Sequence, residues 1–178
     1  MATTTSLMTV EQFRQLPEPG YFYCELRHGE LVQVTPPKFK HRLIQNRLVD
    51  LLRPAAPSGG FVSMEFDFRA LPEHELRTAD VAFVTKERLE TIDPEDNLHG
   101  APDLMIEVLS PSNTVAEMND REKLCLENGC REFWVIDPEL RQVKVSTPDG
   151  ITTTYRAGQE IPLRVFGDGS LKVNAIFA

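Results

Sequence analysis

The chain has 178 residues, of which 41% are hydrophobic and 26% are charged. This composition is that of an ordinary globular protein and excludes a disordered chain, and the length suits one domain that spans residues 1–178. The 27 acidic and 19 basic residues give a net charge of −8, which excludes a uniformly basic nucleic-acid-binding surface. A nucleic-acid partner would therefore need a local basic face.

The sequence also argues against disulfides, a zinc site and a membrane span. The cysteines, Cys24, Cys125 and Cys130, are odd in number and lack the spacing of metal ligands. No segment approaches the roughly 18 consecutive apolar residues of a membrane span, and the first residues lack the basic start and apolar centre of a signal peptide. We therefore expect a cytoplasmic protein with reduced thiols and no membrane partner.

The first third of the chain predicts a helix, a hairpin and a second helix. Thr9 and Gln12 have the spacing of a capping box at the start of a helical pattern. Apolar residues alternate around His28-Gly29, which predicts a β-hairpin. From residue 40 the apolar period becomes that of a helix, which ends before Pro54.

The rest of the chain alternates between strands and one long helix. The segment FVSMEFDFRA has period two, which predicts one shared face for Val62, Met64, Phe66 and Phe68. Further strands are predicted for TADVAFVT, APDLMIEVLS and REFWVIDP, and shorter ones for the tail. Before REFWVIDP, Thr114 and Glu117 have the spacing of a capping box, which predicts that a helix begins after Thr114. This order predicts a mixed α/β fold with one mixed sheet and flanking helices.

Glu107 lies inside the apolar run APDLMIEVLS and needs a partner. A carboxylate taken out of water requires a cation, a hydrogen-bond donor or a proton. Asp80 stands near the start of TADVAFV, and a neighbouring strand would bring it beside Glu107. Two such carboxylates repel unless a cation bridges them, and Mg²⁺ is typically held by one or two carboxylates plus waters. Either an ion pair with an arginine or a metal site would explain Glu107.

Several segments carry a family resemblance. ELRHGELVQV, TADVAFV, APDLMIEVLSPSN and REKLCLENGCREFWVIDP, with His41 opening a helix, resemble successive landmarks of the Uma-type family of putative restriction endonucleases in the PD-(D/E)XK nuclease superfamily. The resemblance covers about residues 8–147. It implies a restriction-endonuclease-like fold, with a central mixed β-sheet flanked by helices and preceded here by a helix and a hairpin. It also implies Mg²⁺ or Mn²⁺ as cofactor, DNA as partner, phosphodiester hydrolysis and a homodimer.

The resemblance assigns site residues one by one. Asp80 and Glu107 match the family's two acidic motifs and would hold the metal, with the carbonyl of Val108 completing the site. Glu25 matches an acid of the early hairpin, and His41 matches the histidine that opens the next helix. Glu25 also has a structural interpretation as a cross-strand ion pair, and His41 as a helix-start residue that contacts backbone.

The superfamily lysine is replaced in this chain. It would stand two residues after Glu107, where the sequence has Leu109, and the helical lysine of the family aligns with Arg121. Lys123 is near, but two helical positions are about 200° apart, so both cannot face the acids equally. Arginine can stabilise phosphate charge but, with a pKa above about 12, cannot accept a proton near neutrality. Arg121 and Lys123 stay as alternatives, and either could instead be a solvated surface charge.

The expected function is a metal-dependent DNA endonuclease in which Asp80 and Glu107 hold Mg²⁺ or Mn²⁺ and Arg121 or Lys123 assists. The alternative is a catalytically inactive, nuclease-derived module that binds nucleic acid or protein. Arg121, the leucine in the lysine position and the acidic net charge support that alternative. The sequence has no phosphate-binding glycine loop, nucleophile elbow or Ser/His/Asp set that would support another enzyme class.

Overall fold

The structure, a computed structural model, describes residues 7–17 and 23–178. Its helices within these residues are α1 (Val10–Arg14), α2 (Phe39–Leu52), α3 (Lys86–Leu89), α4 (Val115–Glu127) and α5 (Val173–Ile176). Its strands are β1 (Cys24–Arg27), β2 (Glu30–Gln33), β3 (Phe61–Arg69), β4 (Arg77–Val84), β5 (Leu98–His99), β6 (Leu104–Val108), β7 (Glu132–Asp137), β8 (Gln142–Ser146), β9 (Thr152–Arg156), β10 (Glu160–Pro162) and β11 (Ser170–Lys172). No helix in this described part is long and apolar enough to cross a membrane.

Most of the strands form one mixed sheet in the order β5-β3-β4-β6-β7-β8-β9. β6 and β7 run parallel and are joined by α4, whereas β4 pairs antiparallel with both β3 and β6. The hairpin β1–β2 and the pair β10–β11 form two small antiparallel sheets. This architecture confirms the predicted mixed sheet with flanking helices, an N-terminal helix and a hairpin.

Helices cover both faces of the main sheet. On one face, Leu48 and Leu52 of α2 pack with Trp134 of β7 in what we call the α2-side core. On the other face, Leu124 of α4 packs with Met105 of β6 in the α4-side core. Every residue of β6 is buried, as is typical of a central strand covered on both sides. Full burial of each large apolar side chain contributes roughly 1.5–3 kcal/mol to the stability of this arrangement.

The start of α4 is set by the sequence itself. Thr114 Oγ1 accepts a hydrogen bond from the Glu117 amide at 3.2 Å, and Glu117 Oε2 accepts one from the Thr114 amide at 3.0 Å. This capping box satisfies two amide donors that a helix N-terminus leaves without partners. The predicted boxes of both α1 and α4 are present. The capping box of α4 fixes where the helix begins and therefore the position of Arg121 along the helix axis.

Backbone hydrogen bonds and ion pairs join the hairpin, β4 and α4. The backbone of Leu26 in β1 exchanges hydrogen bonds with Leu76, at 2.9 and 3.0 Å. Beside it, Arg77 Nε donates to Glu75 at 2.7 Å, and Arg77 Nη1 donates to Asp120 of α4 at 3.0 Å. Arg77 and Glu75 are both essentially inaccessible to solvent. Hairpin, β4 and α4 are thereby tied together at the place where Glu25 and Arg121 meet.

The prediction that one face of β3 carries all its alternate apolar residues is wrong. Val62 and Met64 pack in the α2-side core, whereas Phe66 and Phe68 pack in the α4-side core. Between these pairs, Glu65 has a left-handed backbone with φ of +51°. Non-glycine residues adopt this conformation rarely, and here it interrupts the period-two alternation of the strand. The apolar side chains therefore change face at Glu65.

Candidate active site

A cleft of about 590 Å³ opens between the hairpin, the beginning of α2 and the end of β6. Its volume falls in the range of roughly 300–1,000 Å³ that is typical of ligand sites. The walls come from residues 34–38, 108–113 and 138–139. The lining includes the predicted site residues Glu25, His41, Asp80, Glu107, Val108 and Arg121.

Adjacent strands bring Asp80 beside Glu107. Val81 pairs with Ile106 in the antiparallel register of β4 and β6, so the two acids occupy neighbouring positions on these strands. Asp80 Oδ1 lies 2.9 Å from His41 Nε2, within hydrogen-bond distance, and Oδ2 accepts a hydrogen bond from the Val108 amide at 2.7 Å. These bonds hold Asp80 in one orientation at the cleft.

Glu107 is a buried acid with an incomplete countercharge. Its residue is 8% exposed, and Arg121 Nη1 lies 3.2 Å from Oε1. Burial raises the pKa of the Glu107 carboxyl to about 8, since the Arg121 guanidinium lowers it only in part while Asp80 and Glu25 raise it further. A cation bound beside it would favour the ionised form.

Arg121 is buried and serves two acids unequally. Its Nη2 donates to both carboxylate oxygens of Glu25, at 2.6 and 2.8 Å, while Nη1 donates to Glu107 and to the Thr78 carbonyl. Burial acts to lower the pKa of Arg121, but the two acids raise it more, so the guanidinium stays charged. Burial acts to raise the pKa of Glu25, and Arg121 and Arg27 outweigh it, so the net shift is downward. Arg121 therefore makes more and shorter hydrogen bonds to Glu25 than to Glu107.

The structure does not bring Lys123 into the cleft. Its side chain is 74% exposed, and Nζ lies 4.0 Å from Glu127 on the same helix. Cys125, one turn after Arg121, is buried with its Sγ 3.1 Å from Met105 Sδ, and burial raises the pKa of its thiol. The alternative in which α4 shifts register and Lys123 enters the site is therefore not what the structure adopts.

Two polar residues join the site without having been predicted from the sequence. Gln45 is fully buried on α2, and its Nε2 donates to Asp80 at 3.0 Å and to Glu65 at 2.6 Å. Gln45 follows His41 by four residues, so helical spacing was a usable signal for it. Glu65 reaches the site through the pairing of β3 with β4, which the sequence does not display.

The raised pKa of Glu107 predicts a pH dependence of stability in the metal-free protein. Because the folded state binds this proton more tightly than the unfolded state, the stabilisation is complete below about pH 4.5 and is lost as pH rises to about 8. Urea unfolding in EDTA should show the wild type losing stability relative to Glu107→Gln over this window. A difference between the two proteins that stays constant with pH would contradict the assignment.

The donor set fits a hard divalent cation. The cleft lining includes the acids Glu25, Glu65, Asp80 and Glu107. The buried guanidinium of Arg121 lies beside Glu25 and Glu107. Within residues 7–17 and 23–178, no three His, Cys, Asp or Glu side chains are grouped as ligands for a metal ion. Two carboxylates with backbone and water oxygens are enough for Mg²⁺. A metal at this site would therefore depend on Asp80 and Glu107 for its protein charge.

The sequence matches a protein-family model over residues 10–174, and that family is Uma2, described as "Putative restriction endonuclease". The chain belongs to the Uma2 family. The match confirms the resemblance drawn from the sequence segments and extends it into the tail beyond residue 147. No curated protein matched this Uma2 chain.

A solved structure shares the fold of this Uma2 protein. It is a protein from Anabaena variabilis described as a putative nuclease belonging to DUF820. The TM-score is 0.77 at 22% sequence identity, with 96% of this chain and 97% of the other covered. The similarity therefore extends over nearly the whole of both chains.

Proposed function

We propose that this Uma2 protein is a metal-dependent endonuclease that hydrolyses DNA phosphodiesters. The observation that carries the proposal is the meeting of Asp80 and Glu107, from adjacent strands, in a cleft. The raised pKa of Glu107 supports it, because the buried acid lacks a full countercharge. The descriptions of the Uma2 family and of the Anabaena protein as nucleases support DNA as the substrate class.

In this proposal the metal is held by Asp80, Glu107 and the carbonyl of Val108. A bound Mg²⁺ or Mn²⁺ supplies polarisation of a phosphodiester oxygen and a lowered pKa for a water. His41 and Gln45 orient Asp80 through the hydrogen bonds to its Oδ1. The ligand geometry thus depends on α2 as well as on the sheet.

Arg121 has the role of charge compensation. It neutralises Glu25 and partly neutralises Glu107 from beneath the cleft. Because a guanidinium does not release its proton near neutrality, Arg121 is assigned to charge stabilisation and not to proton transfer. We further propose a cytoplasmic homodimer, since cleavage of two strands at one place requires two such sites.

One observation favours the alternative of an inactive binding module. Asp80 and Arg121 are already satisfied by protein groups, with three hydrogen bonds to Asp80 and four from Arg121. Hydrogen bonds from protein groups can hold Asp80 and Arg121 in place without a cation. A nuclease that had lost its metal would keep these hydrogen bonds.

The two functions differ in metal binding and cleavage. We expect the purified protein to cut plasmid or single-stranded DNA in Mg²⁺ or Mn²⁺ and to leave both intact in EDTA. Calorimetry should show Mn²⁺ binding that is lost in Asp80→Asn and kept in Glu127→Gln, which neutralises an exposed acid of α4. Absence of cleavage together with absence of Asp80-dependent heat would favour the binding module.

A further inference from the structure

The segment that contains α2 has a charge opposite to that of the whole protein. Between residues 38 and 53 there are five Lys or Arg residues and one Asp, a net charge of +4 in a chain of net charge −8. The cations are Lys38, Lys40, Arg42, Arg47 and Arg53. The local basic face that a nucleic-acid partner requires is therefore present on one helix.

The cations lie along both edges of the solvent-facing side of α2. Because successive helical positions are about 100° apart, Lys40 and Arg47 lie on one edge and Arg42 on the other, and Arg42 and Arg47 are half-buried. The inner side of α2 is buried against the sheet through Ile44, Leu48 and Leu52. Phe39 is 77% exposed, and it stands between Lys38 and the Lys40 side chain, which is 70% exposed. An aromatic ring flanked by cations in water is the arrangement with which proteins stack bases while contacting phosphates.

Little in the protein competes for these cations. Among the described residues, one cation of this segment lies within 4.0 Å of a carboxylate. It is Lys40, whose Nζ is 3.3 Å from Glu139 Oε1. Both partners are largely exposed, and such pairs contribute little to stability. Arg53 Nη2 contacts the Val62 carbonyl at 3.4 Å, which leaves its charge uncompensated. A phosphate could replace Glu139 at small cost.

The basic side of α2 begins at the cleft. Lys38, Lys40 and His41 line the cleft, and His41 contacts Asp80 at 2.9 Å. The 14 residues of α2 span about 21 Å at 1.5 Å per residue, close to the axial length of about six nucleotides at 3.4 Å each. A strand with one phosphate at Asp80 and Glu107 therefore has its neighbouring phosphates within reach of this helix.

We infer that the solvent-facing side of α2, with Lys38 and Phe39 at its start and Lys40, Arg42 and Arg47 along its two edges, is the surface that binds the DNA strand next to the phosphate in the cleft. The inference rests on the proposed nuclease function. The cations contact phosphates on one side of the scissile bond, and Phe39 stacks on a base. The acidic remainder of the protein repels DNA elsewhere, so the strand is directed to this side of the cleft.

The first test is DNA binding without cleavage. Fluorescence anisotropy with labelled single-stranded and duplex DNA, in Ca²⁺ or EDTA, is measured over a range of salt concentrations for the wild type and for Lys38→Ala/Lys40→Ala/Arg42→Ala. Loss of three phosphate contacts should reduce the slope of log K against log salt by about 2 to 3 and weaken low-salt binding at least about tenfold. The control is Lys86→Ala/Lys123→Ala/Lys172→Ala, which changes the charge equally at exposed sites on other elements.

The outcomes separate the two proposals. If the α2 variant and the control variant bind DNA with the same affinity and the same salt slope, the role of α2 is wrong and the nuclease proposal stands. No binding of any DNA by the wild type would overturn both. Reduced binding in the α2 variant alone supports the inference, whether or not cleavage is found in other conditions.

Phe39 is tested separately. Phe39→Ala should weaken single-stranded DNA binding about fivefold or more, and Phe39→Trp should restore it, because base stacking needs an aromatic face. The exposed ring could instead contact a second copy of this chain together with Leu43 one turn away. If sedimentation shows that Phe39→Ala alters self-association while DNA affinity stays unchanged, the stacking role is wrong.

Discussion

Replacing Glu107 by glutamine is expected to lower metal-dependent DNA cleavage by at least about a hundredfold while leaving the Tm equal to or above that of the wild type. The loss follows because a metal ion stabilises the transition state by several kcal/mol, and each 1.36 kcal/mol is tenfold in rate. The Tm is kept because glutamine removes an acid whose ionisation the buried site opposes. Initial rates on plasmid DNA and thermal unfolding measure the two effects.

A matched control uses the basic residue that lies outside the cleft. Lys123→Met should cleave close to the wild-type rate, since its ammonium is exposed and pairs at most with Glu127. Full activity of Glu107→Gln would remove Glu107 from the mechanism. A loss of activity in both variants would show that Lys123 takes part in a conformation other than the one described.

Replacing Arg121 by methionine is expected to destabilise the protein by about 3–5 kcal/mol. The substitution leaves Glu107 without its cation and Glu25 with Arg27 alone, and removal of one member of a buried ion pair costs about this much. Urea unfolding of the two proteins at the same pH gives the value. Arg121→Lys should fall between the two proteins, since an ammonium cannot make the forked contact with Glu25.

A double substitution shows whether the cost comes from the buried charges. Arg121→Met combined with Glu25→Gln should be less destabilised than the sum of the two single variants by about 0.5–3 kcal/mol, because the double variant leaves fewer uncompensated acids. Lys123→Met, two residues along the same helix, should change stability by no more than about 0.5 kcal/mol. Additive single effects would mean that Arg121 and Glu25 do not stabilise each other in solution.

The site combines a local sequence signal with contacts that join distant segments. Glu107 was recognisable because a carboxylate within an apolar run must be compensated, and Asp80 because it stands at the beginning of another apolar run that a neighbouring strand would bring beside Glu107. Gln45 lies one helical turn after His41, and this spacing is the sequence signal that places both on the same side of α2. The roles of Glu107, Asp80 and Gln45 in catalysis stay predictions, and Glu107→Gln tests the first of them.

The choice between Arg121 and Lys123 shows what the sequence left open. Both are basic, both lie in the charged segment NDREK, and helical spacing states only that they face different directions. The inner position goes to Arg121 because Glu25, held by the hairpin, and Thr78, held by β4, both accept hydrogen bonds from its guanidinium. Lysine has one ammonium and cannot reach these acceptors together.

The sequence by itself determined the main helices and strands, the caps of α1 and α4 and the family, and it pointed to Asp80 and Glu107, because alternation, capping and motif spacing are properties of neighbouring residues. It missed β5 and predicted only strands in the tail, where α5 lies. The tertiary structure decided which basic residue enters the site, the change of face at Glu65 and the bridge from Gln45 to Glu65. These features depend on the register of β3 on β4 and on the rotation of α4 about its axis. Packing between segments far apart in the chain sets both.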